Sequence, residues 1–317
     1  MIVDLPSTNT ETVSKRLLSL REDVGAMALG RVLTLVIPVD EALVDQAVDI
    51  ANEASRQHPC RVLALVTGNP RGKARLDAQI RVGGDAGASE VVVLRMYGPL
   101  AKHGRSVATP LLLADSPIVA WWPGDSPADP GEDPIGAIAQ RRITDAAAAK
   151  RPHRRLAELA AAYAGGDTDL AWTRVTLWRG RLAAALDHAP YESVTSATVT
   201  GAGDSPSALL LAAWLEHFLQ CPVTIASSPS GTGIISVQLD RPSGPVVLDR
   251  PRGKVATLVQ PGQPDRIIAL PPRSDAECLS DELRRLDADE VYADTLVRGL
   301  GKVSGRKNGT TTKETTR

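Results

Sequence analysis

Two apolar, β-branched runs bracket one amphipathic stretch, and that arrangement constrains the fold of this chain more than any other feature. Residues 31–37 and 61–67 read as buried strands. Between them, the segment 40–57 places Leu43, Ala47, Ile50 and Ala54 on a single helical face. Strand, helix and strand in that order make a β-α-β unit, which builds parallel sheets through right-handed crossovers. The fold class is therefore α/β. At 317 residues the chain is long enough for two domains.

The rest of the first half extends that unit into a mixed sheet. Thr8 and Glu11 have capping-box spacing, and Val13, Leu17, Leu20 and Val24 form a helical apolar stripe behind them. Residues 76–82 alternate apolar and polar side chains, a glycine-rich turn follows at 83–88, and 90–96 is again apolar. The pattern predicts a β-hairpin. A helix over 99–113 leads to a strand at 117–122, then to a Pro/Gly/Asp-rich loop over 123–134 and a short strand at 141–145. This half, 1–165, is read as the N-terminal α/β domain.

The second half, 166–300, reads as an α+β domain. It combines a helix over 169–187, a strand-helix-strand unit over 197–226, and three short antiparallel strands at 233–240, 245–249 and 254–260. Ser274 and Glu277 have capping-box spacing and open a closing C-terminal helix with Leu279, Leu283 and Leu286 inward. Residues 301–317, small and polar, are expected to form a disordered tail.

Composition excludes several function classes. The net charge of −1 gives no general attraction to nucleic acid or to a membrane surface. No apolar run approaches the ~18 residues of a membrane span. Residues 1–6 lack a basic region followed by an apolar stretch, so no signal peptide is expected. Cys60, Cys221 and Cys278 lie far apart, form no metal-ligand spacing and suit a reducing cytoplasm.

The chemistry-bearing motifs are also missing. There is no G-x-G-x-x-G after a strand, no phosphate-binding G-x-x-x-x-G-K-[ST] and no G-x-S-x-G elbow. The turns at 83–88 and 230–233 do not open helices, so they offer no helix N-terminus to a phosphate. None of His58, His103, His153, His188 and His217 pairs with another His or Cys at metal-ligand spacing. Asp167 and Asp169 read as helix caps, and Asp287, Asp289 and Glu290 as a solvated face. Lys150, Arg151, His153, Arg154 and Arg155 read as a solvated basic helix start. No catalytic residue, metal site or cofactor is expected.

What remains is a set of candidate contact residues. The chain has five Trp, four Tyr and one Phe, and two of the Trp, Trp121 and Trp122, stand side by side where a strand runs out. Neighbouring strand residues face opposite ways, so the two cannot share one core layer. One of them is expected to meet a loop, a cleft or another protein. Asp77, Gln79 and Arg81 share one strand face, either solvated or a recognition surface. Trp121, Trp122, Asp77, Arg81 and Trp172 are the candidate partner-binding residues. A competing reading is a small-molecule-binding α/β enzyme with its cleft at the Trp121–Trp122 strand end.

Several blocks resemble a known family. Met1-Ile2-Val3-Asp4-Leu5-Pro6, Gly30-Arg31-Val32-Leu33-Thr34-Leu35, Arg75-Leu76-Asp77-Ala78-Gln79-Ile80-Arg81-Val82 and Glu90-Val91-Val92-Val93-Leu94-Arg95 are similar to the actinobacterial OpcA family of glucose-6-phosphate dehydrogenase assembly proteins. So are Val119-Ala120-Trp121-Trp122-Pro123, Arg142-Ile143-Thr144-Asp145, Gly166-Asp167-Thr168-Asp169-Leu170-Ala171-Trp172, Trp178-Arg179 and Leu286-Asp287-Ala288-Asp289-Glu290. The resemblance runs from residue 1 to about 300. It implies a non-catalytic partner that binds glucose-6-phosphate dehydrogenase and promotes its active oligomer, hence flux into the oxidative pentose phosphate pathway and NADPH supply. Redox control, a property of photosynthetic relatives, needs reactive thiols, and the three isolated cysteines give no basis for it.

Overall fold

The computed structural model describes residues 1–23, 32–56, 58–82, 90–228 and 233–304. They fall into two compact units, Met1–Arg174 with Arg273–Asp289, and Val175–Pro272 with the residues from Glu290. No helix among the described residues is long and apolar enough to cross a membrane.

The first unit is built on an eight-stranded sheet. Its strands are β1 (Ile2–Thr8), β2 (Leu33–Val39), β3 (Cys60–Thr67), β4 (Arg75–Arg81), β5 (Glu90–Tyr97), β6 (Ile118–Trp121), β7 (Arg141–Thr144) and β8 (Asp167–Asp169). They lie in the order β1-β4-β5-β3-β2-β6-β7-β8. The six strands from β5 to β8 across this order are parallel to their neighbours. Numbered along the chain, those six read 3-2-1-4-5-6, the order of dinucleotide-binding sheets. β4 pairs antiparallel with β5, which is the expected hairpin, and β1 pairs antiparallel with β4. The turns expected at 83–88 and 230–232 lie outside the described residues, as do Val24 and 305–317.

Its helices are α1 (Thr10–Asp23), α2 (Val44–Ala54), α3 (Gly104–Ala108), α4 (Pro152–Ala161), α5 (Leu170–Arg174) and, after the second unit, α8 (Asp275–Arg284). Strand alternation sorts the core into two layers. Leu35, Ile37, Val62, Val93 and Trp121 face α2 and α8 on one side. Val36, Leu63, Leu94 and Trp122 face Val13, Leu17 and Leu20 of α1 on the other.

Several expectations are corrected here. Residues 2–8 are a strand, so Thr8 is not a cap. Asn9 Oδ1 accepts from the Thr12 N–H at 2.8 Å and starts α1 instead. The helix expected over 99–113 breaks into 3-10 turns Gly98–Lys102 and Thr109–Leu111 flanking α3. Pro99 and Pro110 have no N–H to donate to a continuous ladder. The first unit runs to Arg174 rather than 165, because β8 pairs with β7 and α5 packs on α8. The 275–284 helix also belongs to the first unit, not the second. Its Leu279 and Leu283 fill the core under α2.

The second unit has a six-stranded sheet of β9 (Ser196–Gly201), β10 (Val223–Ser227), β11 (Ile234–Asp240), β12 (Val246–Asp249), β13 (Val255–Val259) and β14 (Arg266–Ala269). The order is β10-β9-β11-β12-β13-β14, and all neighbours are antiparallel except β10 and β9. One face buries Val199, Val237, Leu239 and Leu248. α7 (Pro206–Leu219) packs against β9 and β10 and is itself covered by the segment from α9 (Glu290–Asp294) through a π turn to α10 (Leu300–Ser304). That segment, not the helix opened by Ser274, closes the C-terminal end of this unit. It continues past residue 301, where the tail was expected, and Val303 is buried. The long helix expected over 169–187 is divided into α5 and α6 (Thr176–Leu186).

Candidate functional site

In a sheet with this strand order a dinucleotide lies beyond the C-terminal ends of β2 and β6, where successive crossovers leave in opposite directions. Such a site needs a glycine-rich turn after β2, an uncovered helix N-terminus and an open crevice. Here β2 runs into Asp40-Glu41-Ala42-Leu43, with no glycine. Glu41 and Asp45 bring carboxylates to the first turns, where they oppose a phosphate. The crevice is filled. Leu43, Gln46 and Ile50 meet Trp121, Asp145 and Asp275 around a space of about 40 Å³. That holds a water or two, whereas a ligand pocket measures about 300–1,000 Å³. The cleft expected at the Trp121–Trp122 strand end is therefore closed.

The tryptophan pair explains the closure. Trp121 is 1% exposed and belongs to the α2 and α8 layer, while Trp122 is 4% exposed and belongs to the α1 layer. The Trp122 main-chain N–H donates to the Ile143 carbonyl at 3.0 Å, holding it beside β7. The long loop after it folds back. Asp133 Oδ1 accepts from the Ile135 and Gly136 N–H groups at 2.8 and 3.2 Å, and Ile135 and Ala139 join the layer that covers Trp122. Of the loop, cleft or partner expected at the pair, Trp122 meets the loop, and with both side chains in the core neither is exposed to a partner. Trp172 is also core: it is 1% exposed, and its indole N–H donates to Asp289 Oδ2 at 2.8 Å. That bond also corrects the reading of Asp289 as part of a solvated face.

Next to the crevice lies a buried polar network that the sequence did not announce. Arg141 pairs with Glu282 and donates to the Asp287 carbonyl at 2.7 Å, tying β7 to α8. Arg142 pairs with Asp167 and tethers β8. Asp145 takes both terminal nitrogens of Arg174 at 2.8 and 2.6 Å, and Arg174 also reaches Asp275 at 2.6 Å. Burial works against the Arg174 charge, but Asp145 and Asp275 hold its pKa above the ordinary value. Asp169 was expected as a helix cap. It is the last residue of β8, and it does accept from the Ala171 N–H at 2.8 Å. Its other oxygen accepts from Thr144 Oγ1 at 2.7 Å and the Ala146 N–H at 2.9 Å. Burial, then the Asp145 charge, pushes its carboxyl up to about 6, against the pull of those donors. A shifted acid in a cleft is a functional candidate. This one has both oxygens engaged and no room for a substrate.

Asp77 and Arg81 are the two expected site residues that the structure brings onto one accessible face. β4 alternates, with Leu76, Ala78 and Ile80 buried and the residues between them turned outward. Asp77 bridges Arg75 at 3.0 Å and accepts from the Ser7 N–H at 2.9 Å. Arg81 donates to Gln79 at 2.8 Å and to Asp45 at 3.0 Å, and Gln79 donates to Asp4 at 2.7 Å. On β5, Arg95 pairs with Glu41 at 2.9 Å. At one end of this polar ladder Arg75 stacks 4.3 Å from the Tyr97 ring centroid, beside an open groove of about 590 Å³ that also borders Ser7, Asn69 and Lys73. Cys278 is buried under α2, which pushes its thiol up to about 12.

No functionally curated protein matches the chain. Among solved structures, it is similar to a 3-ketoreductase from Actinomadura kijaniata in complex with TDP-benzene and NADP, at 8% identity and a TM-score of 0.47, covering 86% of this chain and 96% of that one. It is also similar to an NAD-binding oxidoreductase from Klebsiella pneumoniae, at 9% identity and a TM-score of 0.44, with the same coverage. Residues 51–161 match the glucose-6-phosphate dehydrogenase subunit N-terminal domain, and residues 165–296 match the C-terminal domain of the same family. With the two models covering most of its length in order, the chain belongs to the OpcA family of glucose-6-phosphate dehydrogenase assembly subunits.

Proposed function

We propose that this chain is a non-catalytic assembly factor of glucose-6-phosphate dehydrogenase, acting in the cytoplasm as an allosteric activator. It would thereby set flux into the oxidative pentose phosphate pathway and the supply of NADPH. The observation that carries this reading is the filled crevice. A sheet with dinucleotide-binding strand order has Trp121 and acidic side chains where the cofactor would lie. The rival reading, a small-molecule enzyme at that strand end, has no room for its substrate there. Family membership supplies the partner.

Such a protein works by linkage. If it binds the active dehydrogenase oligomer more tightly than the inactive one, it shifts the population by that difference. A coupling of ~1–3 kcal/mol corresponds to roughly a five- to 150-fold shift, and no bond-breaking by the activator is required. Asp77 and Arg81 are the polar contacts we assign to the partner. Their present ion pairs involve exposed groups, worth about 0–1 kcal/mol, so re-pairing them costs little.

Association is tested by light scattering of the purified chain mixed with the dehydrogenase. A stoichiometric complex is expected, weakened by Arg81→Glu. Two species that elute and scatter independently at micromolar concentration would contradict the proposal.

A further inference from the structure

The groove beside Arg75 and Tyr97 lies where the parallel strands β3 and β5 both end, at Thr67 and Tyr97. In open α/β sheets, ligands bind beyond such carboxyl ends. The loop from β3 to β4 forms one wall, and Asn69 pins it. The Asn69 carbonyl accepts from the Gly72 and Gly98 N–H groups at 3.2 and 2.9 Å, and its Oδ1 accepts from the Arg71 N–H at 3.0 Å. The backbones approach so closely that only glycine fits. Gly98 has a φ of +63°, and a Cβ there would stand 2.6 Å from the Gly72 carbonyl oxygen. Another wall comes from β1, where Ser7 holds a left-handed φ of +48° at a break in the β1–β4 register. The Ser7 N–H is held there by Asp77 Oδ1. Non-glycine residues rarely adopt that conformation, and those that do cluster at ligand sites.

The lining is cationic and rich in hydroxyls. Lys73 and Arg75 border the groove with Ser7 and Thr8, and no carboxylate borders it among the described residues. Arg75 is held in place by Asp77 at 3.0 Å and by the Tyr97 ring 4.3 Å away, which leaves further guanidinium N–H groups to donate. Lys73 makes no ion pair among the described residues. A free ammonium beside an anchored guanidinium suits a phosphate dianion, which takes charge-assisted hydrogen bonds from both. The volume of about 590 Å³ falls within the range of ligand sites, about 300–1,000 Å³. We propose that this groove binds a small sugar phosphate. Lys73 and Arg75 take the phosphate, and Ser7, Thr8 and Asn69 exchange hydrogen bonds with the sugar hydroxyls. A nucleotide fits less well, because the Tyr97 ring is already taken. Arg75 covers it, and Gly68 packs so close that a Cβ there would stand 2.5 Å from the ring. The groove shares no lining residue with the filled crevice at Trp121, and it leaves Asp77 and Arg81 outside its lining. The inference therefore goes beyond the function proposed above and does not rest on it.

The test is calorimetric titration of the full-length chain, with no dehydrogenase present, by glucose-6-phosphate, inorganic phosphate, glucose and NADP in turn. Glucose-6-phosphate should bind saturably at one site, about tenfold or more tighter than inorganic phosphate, while glucose gives no saturable heat. Lys73→Glu changes an exposed loop residue, so its melting temperature without ligand should match wild type. Its affinity for glucose-6-phosphate should fall about tenfold or more, since one charge-assisted partner becomes a repulsive one. A wild-type chain that takes up no glucose-6-phosphate at millimolar concentration would overturn the site. A folded Lys73→Glu variant that binds like wild type would overturn its location. Inorganic phosphate bound as tightly as the sugar phosphate would overturn the sugar assignment in favour of a bare anion contact. NADP bound more tightly than either would overturn it in favour of a nucleotide. Because the dehydrogenase is absent, each of these outcomes leaves the proposed function standing.

Discussion

Trp122 sits between β7 and the returning loop, enclosed by Ile135 and Ala139, so truncating it opens a cavity rather than a contact. Trp122→Ala is expected to cost ~3–5 kcal/mol of stability and leave the dehydrogenase affinity of the folded fraction unchanged. Urea unfolding and calorimetry on the same variant separate the two effects. Asp169 makes a second prediction at this scale. Its folded-state carboxyl is raised to about 6 from the ordinary 3.8, so the native state binds its proton more tightly than the unfolded chain does. Its contribution is fully present below about pH 4 and is lost as pH rises through 6, to a total of about 3 kcal/mol at 1.36 kcal/mol per unit. Other carboxylates titrate in the same range, so the measurement is the difference in unfolding free energy between wild type and Asp169→Asn. That difference should shrink between pH 4 and 7.5, and a flat difference would contradict the assignment. The cysteines supply a third prediction. All three are buried, and Cys278 is held far from its thiolate. A thiol reagent at pH 7.5 should label none of them until the chain is unfolded.

At the scale of elements, the Ser274 capping box opens the helix that the second segment of the first unit contributes to its core. The Glu277 N–H donates to Ser274 Oγ at 3.2 Å, and the Ser274 N–H donates to Glu277 Oε2 at 2.7 Å. The cap fixes the start of α8, whose Leu279 and Leu283 close the core over α2. Ser274→Ala should cost ~1 kcal/mol in chemical denaturation, and a loss under ~0.3 kcal/mol would show that packing alone sets this helix. The cap was legible because its residues lie three apart in the chain. The β-α-β unit and the hairpin were legible for the same reason, since their periodicity is local. β1 was not, because Pro6 and half-exposed residues mask an edge strand whose partner β4 lies about seventy positions away. Nor was the membership of α8, since helical periodicity shows which face is buried but not what buries it. Asp77 and Arg81 could be placed on one face from alternation alone. The Trp pair could be divided between faces, but the loop residues that cover Trp122 act at a range no spacing rule reaches.

At the scale of the whole molecule, the chain keeps the strand order of a dinucleotide-binding sheet while its crevice is filled. Under the proposed function, binding at the surface would act on a dehydrogenase by shifting the balance between that enzyme's own states. The dehydrogenase would then stabilise this chain in turn, because linkage is reciprocal. The most direct test is the initial rate of NADP reduction at fixed glucose-6-phosphate and dehydrogenase as the chain is added. The account predicts no reduction by the chain alone, and a saturable rise of about fivefold or more with dehydrogenase present. NADP reduction by the chain alone, or a dehydrogenase rate that stays flat through a stoichiometric excess of the chain, would contradict it.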